Sequence, residues 1–359
     1  MQILAVETSC DETALSLIEA SGGLSRPSFS IIRNVIASQI AIHRPWGGVV
    51  PNLAKREHLK NLPLLFKRLF PKPLALNPDL IAVTVGPGLE PALWAGIGFA
   101  KELHQRHFPK AKLVGANHLE GHLFSFLLAQ KTANTKLQKT NSKQSSTPNY
   151  QSLFPKNIFP AVALLVSGGH TVLLSVRSLA QWKKLGETRD DAVGESFDKA
   201  ARLLNLPYPG GPEIERIAQH GDPKAIPFPR PMMHSKDFDF SFSGLKTALL
   251  YYRRDHPRAN VADIAASFQQ AAVDVLLEKT ARAAREIGAR SVLLSGGVAA
   301  NALLRTTLAA AAKESGLAFL APAPSFNTDN ASMIGAAAYL RFSSKKRGYP
   351  LRANGNLGI

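Results

Sequence analysis

Two histidines separated by three residues stand out, in the segment His118-Leu119-Glu120-Gly121-His122. On a helix, residues i and i+4 lie on one face, so both imidazoles can reach one metal ion. Ordinary surface or core histidines explain such a pair as well, and a third ligand would strengthen the metal hypothesis. Asp329 is a candidate, although its position before a predicted helix also explains it as a capping residue. Two histidines and one carboxylate would suit Fe(II) or Zn(II).

The glutamate of this segment argues against a zinc protease. In that class the glutamate directly follows the first histidine, where it reaches the metal-bound water. Glu120 comes two residues after His118 and would lie roughly opposite the histidines on a helix. The sequence also has no G-x-S-x-G motif, and nothing around Cys10 marks it as a nucleophile.

Glycine-rich turns follow predicted buried strands at two further points. They are Ser167-Gly168-Gly169 and Ser295-Gly296-Gly297. Because glycine has no side chain, backbone N–H groups in such turns can approach an anion closely. A helix that opens after such a turn, as predicted near Asn301, is a common place for a nucleotide. Asp198 could accept hydrogen bonds from a ribose. Tight turns and a solvated helix residue are the alternatives that remain open.

The elements that carry these residues follow one pattern twice. The apolar runs 3–6 and 14–18 flank a polar turn containing Thr8, Ser9 and Asp11, and the runs 161–166 and 172–176 flank the turn at 167–171. Each is predicted to be strand, tight turn, strand. Two lobes derived from one ancestral unit would have this pattern. Strands alternate with helices elsewhere, so the fold class is α/β.

Composition limits the function further. The 359 residues include 45% hydrophobic residues, one cysteine and a net charge of +17. The single cysteine excludes a disulfide framework or a multi-cysteine metal site. The charge favours a polyanionic partner, nucleic acid first and an anionic membrane second, with a basic proteome background as the alternative. The start of the sequence has no basic signal-peptide region, and no apolar run is long enough to span a bilayer. We expect a cytoplasmic protein without a membrane partner.

Taken together, the motifs resemble those of one family closely, the bacterial and mitochondrial tRNA N6-adenosine threonylcarbamoyltransferases. The matching segments are VETSCDETA, ASQIAIHRPWGGVVP, VGPGLEPALWAGIGFAKEL, NHLEGHL, LLVSGGHT, DDAVGESFDKAARLLNLPYPGGP, FSFSGLKTAL, LLSGGVAANALLR and FNTDNASMIGAAAY. They span nearly the whole chain outside residues 129–160. One departure is Trp46, which replaces the tyrosine usual in the family.

The resemblance implies a fold and a domain organisation. The fold would be the two-lobed actin, Hsp70 and hexokinase-like (ASKHA) architecture, with duplicated RNase H-like lobes around a nucleotide cleft. Residues 1–128 plus about 330–359 would form the N-terminal lobe, which carries the histidine segment. Residues 161–329 would form the C-terminal lobe with the nucleotide-binding loops. Residues 129–160, which are polar and poor in apolar side chains, would be an insert or linker.

The resemblance also implies the chemistry. The threonylcarbamoyl group of threonylcarbamoyl-AMP would pass to N6 of adenosine 37, 3′ of the anticodon, in tRNAs that read codons beginning with A. His118, His122 and Asp329 match iron ligands, so one Fe(2+) per subunit is implied, with Zn(2+) as an alternative. Asp11 and Glu12 match acidic residues bordering the catalytic cleft. The positions that match adenylate-binding residues, for AMP, ATP or the acyl-adenylate, are Leu165, Val166, Ser167, Gly168, Gly169, Asp198, Gly211, Glu215 and Asn301.

Partners and alternatives follow from the same comparison. The resemblance implies tRNA as substrate and the TsaB and TsaE proteins as partners, in a homodimer or a heterodimer. A catalytically silent scaffold subunit that only binds nucleotide is one alternative. A sugar or acetate kinase of the same superfamily is another, in which the histidine segment would have no role.

The basic residues of the insert and of the C-terminal tail lead to a first prediction. We expect them to contact tRNA phosphates, whose binding is strongly dependent on salt. Neutralising Lys131, Lys136, Lys139 and Lys143 should weaken tRNA binding and flatten the slope of log affinity against log salt concentration. Binding of the small adenylate should not change. An unchanged slope would mean that the insert lysines only keep that segment soluble. The C-terminal tail, which we expect to be loose, contains four further basic residues that would contact tRNA phosphates: Lys345, Lys346, Arg347 and Arg352.

Overall fold

The structure, a computed structural model, describes residues 1–71, 77–128 and 157–359. Most of the predicted insert, including the lysines of the first prediction, lies outside the described residues. Within them, every helix is too short or too polar to cross a bilayer.

Ten strands are present in the described part of the chain. They are β1 Gln2–Glu7, β2 Glu12–Ser21, β3 Ser28–Ser38, β4 Leu80–Gly86, β5 Lys112–Asn117, β6 Ala161–Val166, β7 Thr171–Ser178, β8 Gln181–Glu187, β9 Ser291–Ser295 and β10 Ala318–Leu320. They form two five-stranded sheets, in the orders β3-β2-β1-β4-β5 and β8-β7-β6-β9-β10.

Ten α-helices accompany these strands in the same residues. They are α1 Ile40–His43, α2 Pro51–Leu69, α3 Glu90–Arg106, α4 His118–Phe124, α5 Val193–Leu203, α6 Gly210–Ala218, α7 Ser243–Asp255, α8 Val261–Glu286, α9 Ala302–Glu314 and α10 Ala331–Ser343.

The two sheets share one topology. In each, the first strand pairs antiparallel with the second and parallel with the fourth, and the fourth pairs parallel with the fifth. Central strand β6 is buried along its whole length, which explains its uninterrupted apolar sequence. The predicted α/β class and duplicated topology are therefore confirmed.

The chain divides into two compact units. Of the described residues, 1–37, 54–71, 77–128 and 322–359 form unit 1, and 38–53 and 157–321 form unit 2. This division differs from the predicted lobe boundaries in two segments. Residues 38–53 belong with unit 2, and residues 322–329, which include Asp329, belong with unit 1.

Helix α10 is deeply packed in unit 1. Its residues from Ala331 to Leu340 are all buried, and most are small. A Cβ on Gly335 would lie 2.7 Å from Cδ1 of Ile18 in β2, and a Cβ on Gly121 of α4 would lie 3.0 Å from Cδ1 of Ile334. Glycine at these positions therefore lets α10 fit between the sheet and α4.

The C-terminal tail is ordered against unit 1, so the prediction of a loose tail is wrong. Tyr349 and Gly115 exchange two backbone hydrogen bonds, and the N–H of Asn354 donates to the carbonyl of Val85 at 2.8 Å. The basic composition of the tail suggested that it is loose, but these hydrogen bonds to β4 and β5 hold it in place. The four basic tail residues remain exposed on this packed segment.

The packing of α10 gives a second prediction. Gly335→Leu should lower the free energy of unfolding by about 1–3 kcal/mol, because the side chain overlaps Ile18. Gly98→Ala in α3 is the matched control, since a Cβ there meets nothing within 4 Å. It should leave stability unchanged or raise it by up to about 1 kcal/mol. Urea unfolding of both variants measures this, and equal midpoints would contradict the packing account.

Candidate metal centre and nucleotide-binding loops

The histidine segment forms a helix that begins directly at the end of a strand. Asn117, the last residue of β5, caps α4, since its Oδ1 accepts hydrogen bonds from the N–H groups of Leu119 and Glu120. His118 and His122 are buried on one face of α4, with ring centroids 4.6 Å apart. The i, i+4 spacing therefore has the geometric effect that the sequence predicts.

Asp329 completes a cluster of three possible ligands. Its Oδ1 lies 3.1 Å from Nε2 of His122 and 3.5 Å from Nε2 of His118. One ligand atom from each residue lies within 4.8 Å of the others. The capping alternative does not hold, because Asn330 caps α10 by accepting from the N–H of Met333 at 3.0 Å.

The cluster fits a metal ion. Both ring nitrogens of His122 are buried without a hydrogen-bond partner among the described residues, although Asp329 Oδ1 is only 3.1 Å away. The two groups are therefore close but not aimed along a hydrogen bond. Buried polar atoms are rarely left unpaired, and a cation bound between Nε2 of His122 and Oδ1 of Asp329 would satisfy that ring nitrogen.

A buried carboxylate supports the first histidine from behind. Oε2 of Glu7 lies 3.3 Å from Nδ1 of His118, and Oγ of Ser9 lies 3.2 Å from the same nitrogen. Glu7 also accepts hydrogen bonds from the N–H of Ser9 and the hydroxyl of Thr84. A carboxylate behind a histidine fixes the ring and increases its strength as a ligand.

The electrostatics of this pair are strong. Burial raises the pKa of Glu7, but the charge of His118 and the hydrogen bond to it lower that pKa below its usual value. Burial lowers the pKa of His118, but the charges of Asp329 and Glu7 outweigh it and raise that pKa to about 9. Metal binding must therefore displace a proton held by His118.

Glu120 faces away from the ligand cluster. Its Oε1 accepts a hydrogen bond from Arg341 at 2.8 Å and from the Tyr349 hydroxyl at 2.7 Å. Burial raises the pKa of Glu120, and burial together with the charge of Glu120 raises the pKa of Tyr349 to about 12. Glu120 thus joins α4 to the C-terminal tail, and the argument against a zinc-protease arrangement holds.

The two predicted catalytic acids lie where the loop between β1 and β2 ends. Asp11 is the last residue of this loop, and Glu12 is the first residue of β2. Burial, with the charges of Asp11 and Asp329, raises the pKa of Glu12 to about 10. Burial, with the charge of Asp11, raises the pKa of the Cys10 thiol well above its usual value, so no reactive thiolate is favoured. Glu12 therefore lies where it interacts electrostatically with Asp329 of the ligand cluster and with its neighbour Asp11.

One residue that the sequence does not reveal holds this loop. His58 of α2 is fully buried. Its Nδ1 lies 2.8 Å from the Thr13 hydroxyl, and its Nε2 lies 2.9 Å from the carbonyl of Cys10. His58 has no motif spacing that would have singled it out. Glu7 and Ser9 could be suspected only as polar residues at the end of a buried strand.

The first glycine turn in unit 2 is open on one side. The N–H of Ser167 donates to the carbonyl of His170 at 2.8 Å, which closes the turn. A Cβ on Gly168 or Gly169 would meet nothing within 4 Å. Helix α5 starts beside this turn, because a Cβ on Gly194 would lie 2.5 Å from the carbonyl oxygen of Ser167.

The other predicted adenylate-binding residues lie around the same strand end. Gly296 has φ +94°, and its Cα is so close to β6 that a Cβ would lie 2.3 Å from the carbonyl oxygen of Val166. Asp198 accepts a hydrogen bond from the N–H of Gly210 at 2.7 Å, next to Gly211. The turn at 167–169, the turn at 295–297 and the start of α6 therefore meet within unit 2.

Two of these residues also serve the fold. Oδ1 of Asn301 caps α9 by accepting from the N–H of Leu304, while its Nδ2 donates to Gln269 at 2.8 Å. Oε1 of Glu215 accepts from the N–H of Ala302 at 2.8 Å. Both side chains hold the start of α9 in place next to the glycine turn. Leu165 belongs to the buried strand itself.

Comparison with known proteins decides the family. The family model of TsaD, tRNA N6-adenosine threonylcarbamoyltransferase, matches residues 30–137 and 147–336. The chain belongs to this family.

Curated relatives agree over nearly the full chain. A tRNA N6-adenosine threonylcarbamoyltransferase of Thermosipho melanesiensis is 45% identical over 95% of each chain. That of Moorella thermoacetica is 45% identical over 95% of this chain and 92% of the relative. The resemblance seen in the motifs is confirmed, and the chain is an enzyme of the acyltransferase class.

Solved structures support the fold. Full-length HypF in its phosphate- and nucleotide-bound form covers 96% of this chain with a TM-score of 0.54 and 14% identity, and T. kodakarensis HypF gives a TM-score of 0.53. The chain spans just under half the length of each. At this identity the likeness concerns the fold alone.

The ligand cluster gives a third prediction. His122→Ala should abolish stoichiometric metal binding, because it removes one of three converging donors. His104→Ala in α3 is the matched control and should retain metal. Elemental analysis of anaerobically purified protein measures metal per chain, and thermal unfolding shows that both variants fold. A His122→Ala protein that still holds one ion per chain would contradict the assignment.

Proposed function

We propose that this enzyme transfers the threonylcarbamoyl group of threonylcarbamoyl-AMP to N6 of adenosine 37, in tRNAs that read codons beginning with A. The product would be N6-threonylcarbamoyladenosine. The observation that carries the proposal is the converging cluster of His118, His122 and Asp329, in a chain that matches the family over nearly its whole length. A silent scaffold would have no need of such a cluster.

The reaction is a simple acyl transfer. The N6 amine attacks the carbamoyl carbon, a C–N bond forms, and the bond from that carbon to the phosphate oxygen breaks. AMP leaves with the electron pair, and the amine loses one proton. The acyl group is already activated, while the adenine amine is a weak nucleophile. Positioning and charge stabilisation should therefore supply most of the rate enhancement.

The residues of this chain would share the work as follows. Residues 165–169, Asp198 and Gly211 would hold the adenylate, with backbone N–H groups of the open turn facing its phosphate. Glu215 and Asn301 would border the same site while they keep α9 in position. Asp11 and Glu12 would border the reacting groups in unit 1.

The metal site has a defined role in this proposal. We assign one Fe(2+) per subunit to His118, His122 and Asp329, with Zn(2+) as the alternative that suits the same donors. A bound ion would supply Lewis-acid polarisation of a carbonyl oxygen. Glu7 and Ser9 would keep the His118 ring oriented toward it.

The wider setting is part of the proposal. The family implies tRNA as the substrate. We further propose a cytoplasmic enzyme that acts with the TsaB and TsaE proteins, as a homodimer or a heterodimer. Transfer from synthetic threonylcarbamoyl-AMP to unmodified tRNA, with and without these partners, tests the activity. Failure of the metal-loaded wild-type protein with the partners present would refute it.

The open glycine turn gives a fourth prediction. Gly168→Val should abolish binding of AMP, because branched carbons would fill the space that the phosphate needs. The fold should stay nearly intact, since a Cβ there meets nothing within 4 Å. Gly211→Ala is a milder test at the start of α6, and Gly98→Ala is the control. Titration calorimetry measures AMP affinity, and unchanged affinity in a folded Gly168→Val protein would contradict the assignment.

A further inference from the structure

Trp46 is the most exposed large apolar side chain in the described part of the chain. Its relative exposure is 68%, whereas the next, Leu59, has 53%. It ends a short 3-10 turn, Arg44–Trp46, in the segment 38–53 that belongs to unit 2. In the segment 38–53, Ile42 of α1 is the one other large apolar residue that is exposed, at 36%. The indole is thus the largest exposed apolar group of this segment.

The turn that carries Trp46 is fixed from three sides. Gly47 adopts φ +65°, where glycine is favoured, and its N–H donates to the carbonyl of Arg44 at 3.0 Å. Nε of Arg44 donates to the carbonyl of Tyr208 at 3.0 Å, and the guanidinium of Arg202 donates to the carbonyl of Gly47. The ring is therefore presented on a pre-organised support, which reduces the entropy lost on binding.

Two exposed arginines are close to the turn that carries this ring: Arg44 belongs to the turn, and Arg202 contacts it at Gly47. Arg44 and Arg202 are both exposed, and their hydrogen bonds go to backbone carbonyls. No salt bridge joins either of them to a carboxylate of the described residues. The segment 38–53 contains no Asp or Glu. An exposed aromatic ring on a turn with two exposed arginines that form no salt bridge within the described residues fits single-stranded nucleic acid.

The residues that contact the Trp46 turn, Arg202 and Tyr208, are close in sequence to residues of the proposed adenylate site. Arg202 lies one helical turn after Asp198 on α5. Tyr208 comes two residues before Gly210, whose N–H bonds to Asp198. The Trp46 turn therefore flanks, within one unit, the loops to which the proposed function assigns the adenylate.

We propose that Trp46 stacks on an unpaired base of the tRNA anticodon loop, with Arg44 and Arg202 contacting phosphates beside that base. This inference rests on the proposed function, because it assumes tRNA as substrate. Stacking of a base on an aromatic ring tolerates any base, so Trp46 would add affinity and orientation rather than sequence choice.

Substitution in binding experiments tests this proposal. Trp46→Ala should weaken binding of an anticodon stem-loop RNA about tenfold or more, and Trp46→Phe should recover most of the loss. Tyr251→Ala is the matched control. Tyr251 is exposed at 52% and stacks with Arg254, but Asp255 neutralises that arginine at 2.7 Å. The control should bind RNA like the wild type, and AMP affinity should be unchanged in all three variants.

A spectroscopic signature separates stacking from a structural role. The chain has three tryptophans, so replacing Trp94 and Trp182 by Phe leaves Trp46 as the only indole. Its fluorescence should be quenched by the stem-loop RNA and far less by a blunt RNA duplex of equal length. In steady-state transfer, Trp46→Ala should raise KM for tRNA more than it lowers kcat.

The outcomes are distinct. Wild-type RNA affinity in Trp46→Ala, or equal quenching by duplex and stem-loop, would overturn this inference while leaving an active wild-type enzyme and its proposed function intact. Loss of a protein partner by Trp46→Ala with unchanged RNA affinity would also overturn it, because the ring would then be a protein contact. A wild-type enzyme that fails to modify tRNA would overturn the proposed function itself.

Discussion

The buried carboxylate of Glu7 is the constraint on which unit 1 depends. It ends β1 without access to water, and a buried charge of this kind is strongly unfavourable unless it is compensated. Compensation comes from the N–H of Ser9, the hydroxyl of Thr84 and the imidazole of His118. These partners belong to the first turn, β4 and α4. The carboxylate of Glu7 therefore fixes the relative positions of three elements and orients His118, the first histidine of the ligand cluster.

The duplicated topology is used for different chemistry in the two units. In unit 1 the turn after the first strand supports a histidine through Ser9, and its neighbours Asp11 and Glu12 are acidic. In unit 2 the equivalent turn, 167–169, has glycines and open space. The same backbone arrangement therefore supports a cluster of possible metal ligands in one case and leaves open space at glycines in the other, and the side chains of a few turn residues make the difference.

The sequence predicts the parts of this architecture whose patterns are local. The hairpins β1–β2 and β6–β7 are continuous apolar runs around a polar turn, and the face shared by His118 and His122 follows from helix geometry alone. Strand β3 and helix α2 were not predicted. Strand β3 is only partly buried and mixes polar with apolar residues, and α2 contains Pro63, an unusual residue inside a helix.

Contacts between residues that are distant in the sequence could not be predicted from local patterns. The resemblance to the family identified Asp329, but no spacing rule connects it with α4. The roles of Glu7 and His58 depend on neighbours from distant parts of the chain. The packed tail was mispredicted because its hydrogen bonds use backbone groups, which composition does not report. The grouping of residues 38–53 with unit 2 rests on similar contacts, since Arg44 donates to the carbonyl of Tyr208 and Arg202 donates to the carbonyl of Gly47.

The distance in sequence between the ligands has a consequence for synthesis on the ribosome. His118 and His122 emerge about 200 residues before Asp329, so the cluster closes a long loop, which carries an entropic cost. The helix that follows Asp329 must also fit between the first sheet and α4. During elongation the two histidines therefore lack their carboxylate, and the three-donor cluster forms only when the last part of unit 1 docks onto the first. A bound ion would then indicate that unit 1 has folded completely, including its last segment. The folding of unit 2 alone would not indicate this, because unit 2 contains none of the three ligands.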